Sequence, residues 1–254
     1  MGTGMKIWIL SFGSDPGYVQ LSNRLCTKIS TSYPDANILV YTADDLPDHL
    51  NQLGAMFKRG YGYWIWKPYI VKRTLQMASA GDVLLYVDGR TAATGKRIAW
   101  FDDFLAGKDL DMAVWQTSNI ERTWTTGDLF KLFGFEIESE EARTGQFAAT
   151  VFALRANDRT IQMVNDWYRV MEQNFDLCRD EPSVIRNHDS FIENRHDQSV
   201  FSLTIKRAIT QGARIMCVSK SQIKTALQPQ LSAHPGRKVT ISRRFKTLMF
   251  KVFR

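Results

Sequence analysis

Three short segments hold the residues whose types could do chemistry. The apolar run Val83 to Val87 ends on Asp88-Gly89-Arg90, so a carboxylate stands where a buried strand stops. Open α/β sheets bind ligands outside the carboxyl ends of their strands, and an acid there can hold a divalent cation against a diphosphate. Asp88 is the one carboxylate of this stretch. Arg90 stands where such sites often carry a second acid, and its guanidinium can itself contribute charge to a diphosphate. The plainer reading makes Asp88 a cap for the loop or helix that follows.

Lys67-Pro68 marks the second segment. Proline suits the first turn of a helix, so Lys67 falls beside free backbone N–H groups, a natural anion site. Tyr61, Tyr63, Trp64 and Trp66 could stack a base or a sugar, or form an aromatic core plug whose lysine merely reaches solvent. The third segment, His196-Asp197-Gln198, offers carboxylate and amide groups that suit vicinal sugar hydroxyls. Its Asp could position or deprotonate an acceptor hydroxyl. As plain structure, Asp197 is an N-cap and His196 a surface residue. The sequence contains no Ser-His-Asp order, P-loop or HExxH, so hydrolase and kinase motifs get no support.

These segments need elements to position them. Residues 5–12 read as a first strand, Asp15-Pro16-Gly17 as a turn, Tyr18 to Ser30 as a helix and Asn37 to Thr42 as a second strand. This β-α-β opening favours a parallel, nucleotide-binding type of sheet. A helix from Pro68 to about Ala78 feeds the strand that ends on Asp88. Gly95 to Leu105 reads as helix and Met112 to Trp115 as a short strand. Ile120 to Thr144 mixes its periods and reads as an excursion over the sheet edge. Phe147 to Leu154 is another strand, and Asn157 can cap a helix with Ile161, Val164, Trp167, Tyr168 and Met171 on one face. Gln198 to Ile209 and Arg214 to Val218 complete the body as helix and strand.

The totals suit a globular protein of one or two domains: 254 residues, 44% hydrophobic and 23% charged. Cys26, Cys178 and Cys217 are odd in number with no CxxC spacing, which suits free thiols in a reducing compartment. No apolar run approaches the roughly 20 residues that span a bilayer, and the opening does not read as a signal peptide, so the expectation is a cytoplasmic protein. The net charge of +7 is located in one place. Residues 236–254 carry Arg237, Lys238, Arg243, Arg244, Lys246, Lys251 and Arg254 and no acid, so the rest of the chain balances to zero. Ile241, Phe245, Leu248, Met249 and Val252 form one apolar stripe among them. Such a basic amphipathic helix could dock on its own domain, on a partner or in the membrane interface. Nucleic acid is the least favoured partner, because the basicity belongs to a tail and not to the body.

Taken together, GYGYWIWKPYIV, GDVLLYVDGR, RTGQFAATVFAL and NRHDQSVFSL resemble bacterial nucleotide-diphospho-sugar glycosyltransferases of the GT-A fold, in particular small lipopolysaccharide- or capsule-type transferases. The resemblance covers roughly residues 5–220. It implies a single Rossmann-like α/β domain over 5–220 with a mixed, mostly parallel sheet flanked by helices, followed by the 236–254 tail. It further implies a nucleoside-diphosphate sugar donor, UDP-linked in the first instance, an Mn²⁺ or Mg²⁺ ion, and retention of anomeric configuration. The acceptor would be a surface-glycan or lipid-linked hydroxyl met at the inner face of the cytoplasmic membrane. Position by position, Ser11 and Phe12 would border the nucleotide. Lys67, beside Trp64, would face the donor phosphates. Asp88, followed by Gly89 and Arg90, matches the first acid of the family's Asp-x-Asp and its metal ligand. Thr144 and Gln146 would line the sugar pocket, and His196, Asp197 and Gln198 would face donor sugar and acceptor. Arg90 in place of the second acid departs from the pattern and puts metal dependence in question. Two other classes stay open: a non-catalytic sugar-nucleotide or carbohydrate-binding module, and a basic membrane or nucleic-acid adaptor.

Overall fold

The computed structural model describes residues 4–229. The amphipathic helix expected over 236–254, and the membrane contact assigned to it, lie outside the described residues. No described helix is long and apolar enough to cross a membrane.

Strand β1 (Ile7–Gly13) leads into helix α1 (Pro16–Ser30). Pro16 and Gly17, expected in a turn, are instead the first residues of α1. Asp15 caps them by accepting from the N–H groups of Gly17 and Tyr18, and proline loses nothing where the N–H has no helical partner. Strand β2 (Asn37–Thr42) runs parallel to β1. Helix α2 (Asp48–Met56), the single turn α3 (Gly60–Tyr63) and helix α4 (Trp66–Met77) follow, and α4 feeds β3 (Val83–Val87). Short β4 (Thr91–Ala93) and α5 (Ala99–Ala106) precede β5 (Met112–Ile120). β5 extends five residues past the expected Trp115, because its outer half is polar and its pairing with β6 shifts register beyond Val114. Hydrophobic pattern does not report such an extension.

The excursion contains α6 (Glu121–Trp124), α7 (Gly127–Phe133) and α8 (Glu140–Arg143). Strand β6 (Gly145–Arg155) and helix α9 (Asp158–Gln173) come next, with Asn157 capping α9 as expected. Helix α10 (Asp197–Thr210), strand β7 (Ile215–Val218), helix α11 (Lys220–Ala226) and strand β8 (Leu227–Pro229) end the described chain.

Six strands form one sheet in the order β2-β1-β3-β6-β5-β7, and β4 pairs with β8 in a separate ribbon. Within the large sheet, β6 alone runs against its neighbours β3 and β5; the other three pairs are parallel. The sheet is therefore mixed, mostly parallel and flanked by helices. This reversal matters for the site. It brings the first residues of β6, Gly145 and Gln146, to the edge where β1, β3 and β5 end.

Side chains alternate along each strand between two cores. Leu10, Leu84, Tyr86, Met112, Val114, Phe152 and Leu154 face the layer of α4, α9 and α10. Ile9, Val83, Leu85, Val87, Ala113, Val151 and Ala153 face α1, α5 and α11. Phe152 sits centrally, stacked on Tyr86 at 5.0 Å and tilted against Phe201 at 4.8 Å. Truncating such a buried ring removes transfer energy and leaves a cavity, so Phe152→Ala should cost roughly 3–5 kcal/mol in urea unfolding. Ile38→Ala, at a half-exposed strand position, should cost well under half of that.

Candidate active site

The amino ends of α4 and α10 meet beside the carboxyl end of β3. There the Lys67 ammonium donates to the Asp197 carboxylate at 2.5 Å, and both residues are buried, 2% and 5% exposed. Lys67 does not reach solvent, and its ammonium also lies 5.5 Å from the centre of the Tyr86 ring. Asp197 is not the cap of α10. His196 holds that position, no side chain caps the helix, and the Asp197 carboxylate turns to Lys67 instead. Burial pushes the Asp197 carboxyl above its usual range; the Lys67 ammonium pulls it back, and the nearby negative charge of Asp88 pushes it up again.

Asp88 follows the last residue of β3. Its N–H donates to the Thr150 carbonyl at 2.8 Å and its carbonyl accepts from the Thr91 N–H at 2.8 Å, which closes a tight turn. Its side chain is half-buried and, among the described residues, accepts no hydrogen bond, so it is no cap. Gly89 is required for close approach, since a Cβ there would sit 2.4 Å from the Ser22 hydroxyl. Arg90 is exposed and lies over the Tyr18 ring at 5.2 Å, donating to its hydroxyl.

Gln146 is fully buried and its amide has one allowed orientation. Its Nε2 faces the Glu121 carboxylate at 3.0 Å and the Thr125 hydroxyl at 3.1 Å, so its Oε1 must face the Gln198 Nε2, 2.9 Å away. Glu121, also fully buried, pairs with Lys206 at 2.8 Å and accepts from Ser202 and Thr125. Gln146 therefore supports Gln198 from behind, and half-buried Gln198 is the member of this pair nearer solvent. Thr144 is occupied locally: its hydroxyl donates to the Glu141 carbonyl. At the end of β1, the Ser11 hydroxyl donates to Ser22, and Phe12 stacks on Trp66 at 3.9 Å.

The aromatic segment before Lys67 is an inward-facing plug with unusual backbone. Gly60, Tyr61, Gly62, Tyr63 and Trp64 have φ of 58°, 52°, 81°, 52° and 62° in succession. Bonds from Tyr63 N–H to the Arg59 carbonyl (2.8 Å) and from Trp64 N–H to the Gly60 carbonyl (3.1 Å) close this turn in the left-handed sense. Each non-glycine residue so placed costs roughly 1–2 kcal/mol. The other non-glycine residue with positive φ among those described is His196, at φ 55° and ψ −120°. That conformation suits glycine and costs on the order of 1–3 kcal/mol. The two strained places touch, with the His196 ring stacked on Trp64 at 5.7 Å and tilted against Tyr63 at 5.0 Å.

His196 is 3% exposed rather than a surface residue. Its Nδ1 lies 2.8 Å from the Cys178 carbonyl, which can only accept, so Nδ1 carries the proton. Burial lowers its pKa from 6.5 and the Arg59 charge lowers it further, against the opposing pull of Asp180 and Glu193. Asp180 itself accepts from the Tyr63 hydroxyl and, through both carboxylate oxygens, from one Arg59 guanidinium nitrogen, at 2.8–3.0 Å.

The structure thus gathers Lys67, Asp88, Asp197, Gln198 and, behind them, Gln146 at one edge. It gives Ser11, Phe12, Thr144 and Arg90 to internal contacts or to Tyr18. Glu121, Lys206, Asp180 and Arg59 were not singled out from the sequence. Glu121 follows the end of β5 as Asp88 follows β3, so the same strand-then-acid signal was present; the polar outer half of β5 concealed it. Among the described residues no group of three or more His, Cys, Asp or Glu gathers as a metal cage. Asp88 is the free carboxylate here and Asp197 already carries Lys67. The fit on offer is a cation held by one protein carboxylate and substrate phosphates, a mode that Mg²⁺ accepts.

His196 gives a pH prediction. Its folded pKa lies below the unfolded 6.5, so between the two values the unfolded chain binds more protons and stability rises with pH. Unfolding free energy should fall as pH drops below 6.5 and level off beneath the folded value. His196→Asn should remove this component, read as the wild-type-minus-variant difference between pH 7.5 and 5. A difference independent of pH would contradict the buried neutral ring.

No protein-family model matches the chain, and no curated protein matches it. Solved structures similar to it include a glycosyltransferase involved in the glycosylation of the major capsid of PBCV-1, at 10% identity over 84% of this chain and 82% of that one, with a TM-score of 0.47. Another is the galactosyltransferase LgtC in complex with donor and acceptor sugar analogs, at 14% identity over 82% and 72% of the two chains, TM-score 0.43. Mouse xyloside xylosyltransferase 1 is similar at 8% identity over 84% of each chain, TM-score 0.43.

Proposed function

We propose that the protein is a glycosyltransferase that moves a sugar from a nucleoside-diphosphate donor, UDP-linked in the first instance, to a hydroxyl of a surface-glycan or lipid-linked acceptor. The observation that carries this reading is the buried Lys67–Asp197 pair set beside the unpartnered Asp88 at the carboxyl edge of the sheet. Transfer breaks the bond from the anomeric carbon to the diphosphate, which keeps the electron pair, and forms one to the acceptor oxygen, whose proton leaves. Catalysis of that kind is mainly positioning plus stabilisation of the departing charge.

Lys67 supplies positive charge near the diphosphate, Asp197 and Gln198 orient the sugar, and Asp88 is the carboxylate for a divalent ion. When bound, Mn²⁺ or Mg²⁺ would neutralise the leaving diphosphate. Retention of configuration and a bacterial surface-glycan setting belong to this proposal through the sequence resemblance. So does a peripheral position on the inner membrane face, reached through residues 236–254.

A non-catalytic binding module is the second reading, favoured by one observation: Asp197 already occupies the Lys67 ammonium. A thermal-shift panel of UDP-, GDP-, dTDP- and CMP-sugars, with and without Mn²⁺, separates these readings when followed by donor turnover on water or a glycan acceptor. A matching donor at about 100 times its Kd adds roughly 2.7 kcal/mol, and Asp88→Asn should remove any Mn²⁺-dependent part of the shift. Binding without turnover selects the module. No shift with any donor sinks both.

A further inference from the structure

We propose that His196 and Trp64 form a positioning clamp, whose stacked rings hold two strained backbone segments in the register that sets Lys67 against Asp197. The placement in sequence carries the argument. The left-handed run Gly60 to Trp64 ends three residues before Lys67, and His196 immediately precedes Asp197. Each partner of the buried ion pair thus leaves a backbone that L-residues rarely adopt, and the two segments meet through aromatic side chains far apart in sequence.

His196 is poorly suited to act on a substrate directly. Its Nδ1 proton is committed to the Cys178 carbonyl, and its Nε2 is buried without a hydrogen-bond partner. Trp64 is packed as well as stacked: Gly60 lies against the indole so closely that a Cβ there would come within 2.3 Å of it. What both rings do is touch each other. Asp180 accepts from Arg59 and from Tyr63, whose ring is tilted against His196 at 5.0 Å, so the same network holds Tyr63 beside the contact. The consequence for donor chemistry rests on the transferase reading; the clamp itself does not.

Strain makes the test asymmetric. His196→Gly and Trp64→Asn both put residues that tolerate positive φ at the strained positions. If the rings matter only for packing, folded protein should keep Lys67 sealed. If they set the register, Lys67 should open although the backbone is relaxed. The readout is the rate of reductive methylation of Lys67 relative to exposed Lys96, followed by peptide mass spectrometry well below each variant's Tm.

Wild type should label Lys67 at least tenfold more slowly than Lys96. Trp64→Asn and His196→Gly should raise the Lys67 rate about tenfold, and Trp64→Phe, which keeps a ring, should not. Phe104→Leu, in the core on the opposite sheet face, supplies a destabilised control that should leave Lys67 sealed. The clamp is overturned if both ring-removing variants keep Lys67 as protected as wild type, or if Phe104→Leu opens it equally. In parallel, donor turnover by Trp64→Asn and His196→Gly should fall about tenfold in kcat, and turnover by Trp64→Phe should not. Wild type inert toward every donor would end the transferase reading while the labelling result still decides the clamp.

Discussion

The buried contact between Lys67 and Asp197 is the constraint to which the rest of the site answers. Two charges removed from water cost several kcal/mol each before their attraction offsets it, and losing one partner leaves an uncompensated charge worth roughly 3–5 kcal/mol of destabilisation. An apolar pair of similar volume would hold α4 against α10 at least as well. The pair therefore makes more sense as a specification of geometry and charge than as a source of stability. Helix dipoles favour Asp197 at the amino end of α10 and disfavour Lys67 at the amino end of α4. Lys67 tolerates its place because Asp197 and the Tyr86 ring face it.

A second buried pair, Glu121 with Lys206, repeats this logic one layer away. It does not approach the solvent edge, yet it decides which way the Gln146 amide points, and so how Gln198 is held. The reversal of β6 makes this possible. With all strands parallel, the residue at the start of β6 would lie at the opposite edge of the sheet, remote from α10. One antiparallel strand thus converts an interior glutamine into support for the site.

The elements legible in the sequence were those whose apolar period was unbroken: β1, β2, β3, α9 and α10 stand within a few residues of expectation. The ends of elements were less legible where polarity and structure part company. β5 continues through polar Gln116 to Asn119 because β6 is there to pair with it, and β4 and β8 are too short to show any period. At the site, Asp88, Lys67, Asp197 and Gln198 could be found because an acid, a lysine before proline and a His-Asp-Gln run are local signals. Their relations could not. That Asp197 faces a lysine 130 residues away rather than its own helix end is a tertiary fact, and so is the stacking of His196 on Trp64. The left-handed turn was half visible: Gly60 and Gly62 announce positive φ, while Tyr61, Tyr63 and Trp64 adopt it against their own preference.

Charge at the centre sets the remaining requirement. Two carboxylates, Asp88 and Asp197, face one ammonium, Lys67, so acidic groups outnumber basic ones at this edge. A diphosphate brought to that edge meets repulsion unless positive charge arrives with it or moves toward it. Arg90 is the nearest candidate in sequence, but its guanidinium rests on Tyr18 at the start of α1. A divalent ion on Asp88 and Arg90 leaving Tyr18 are then two answers to one electrostatic deficit. They differ in what supplies the charge, and each predicts its own dependence on metal and on Arg90.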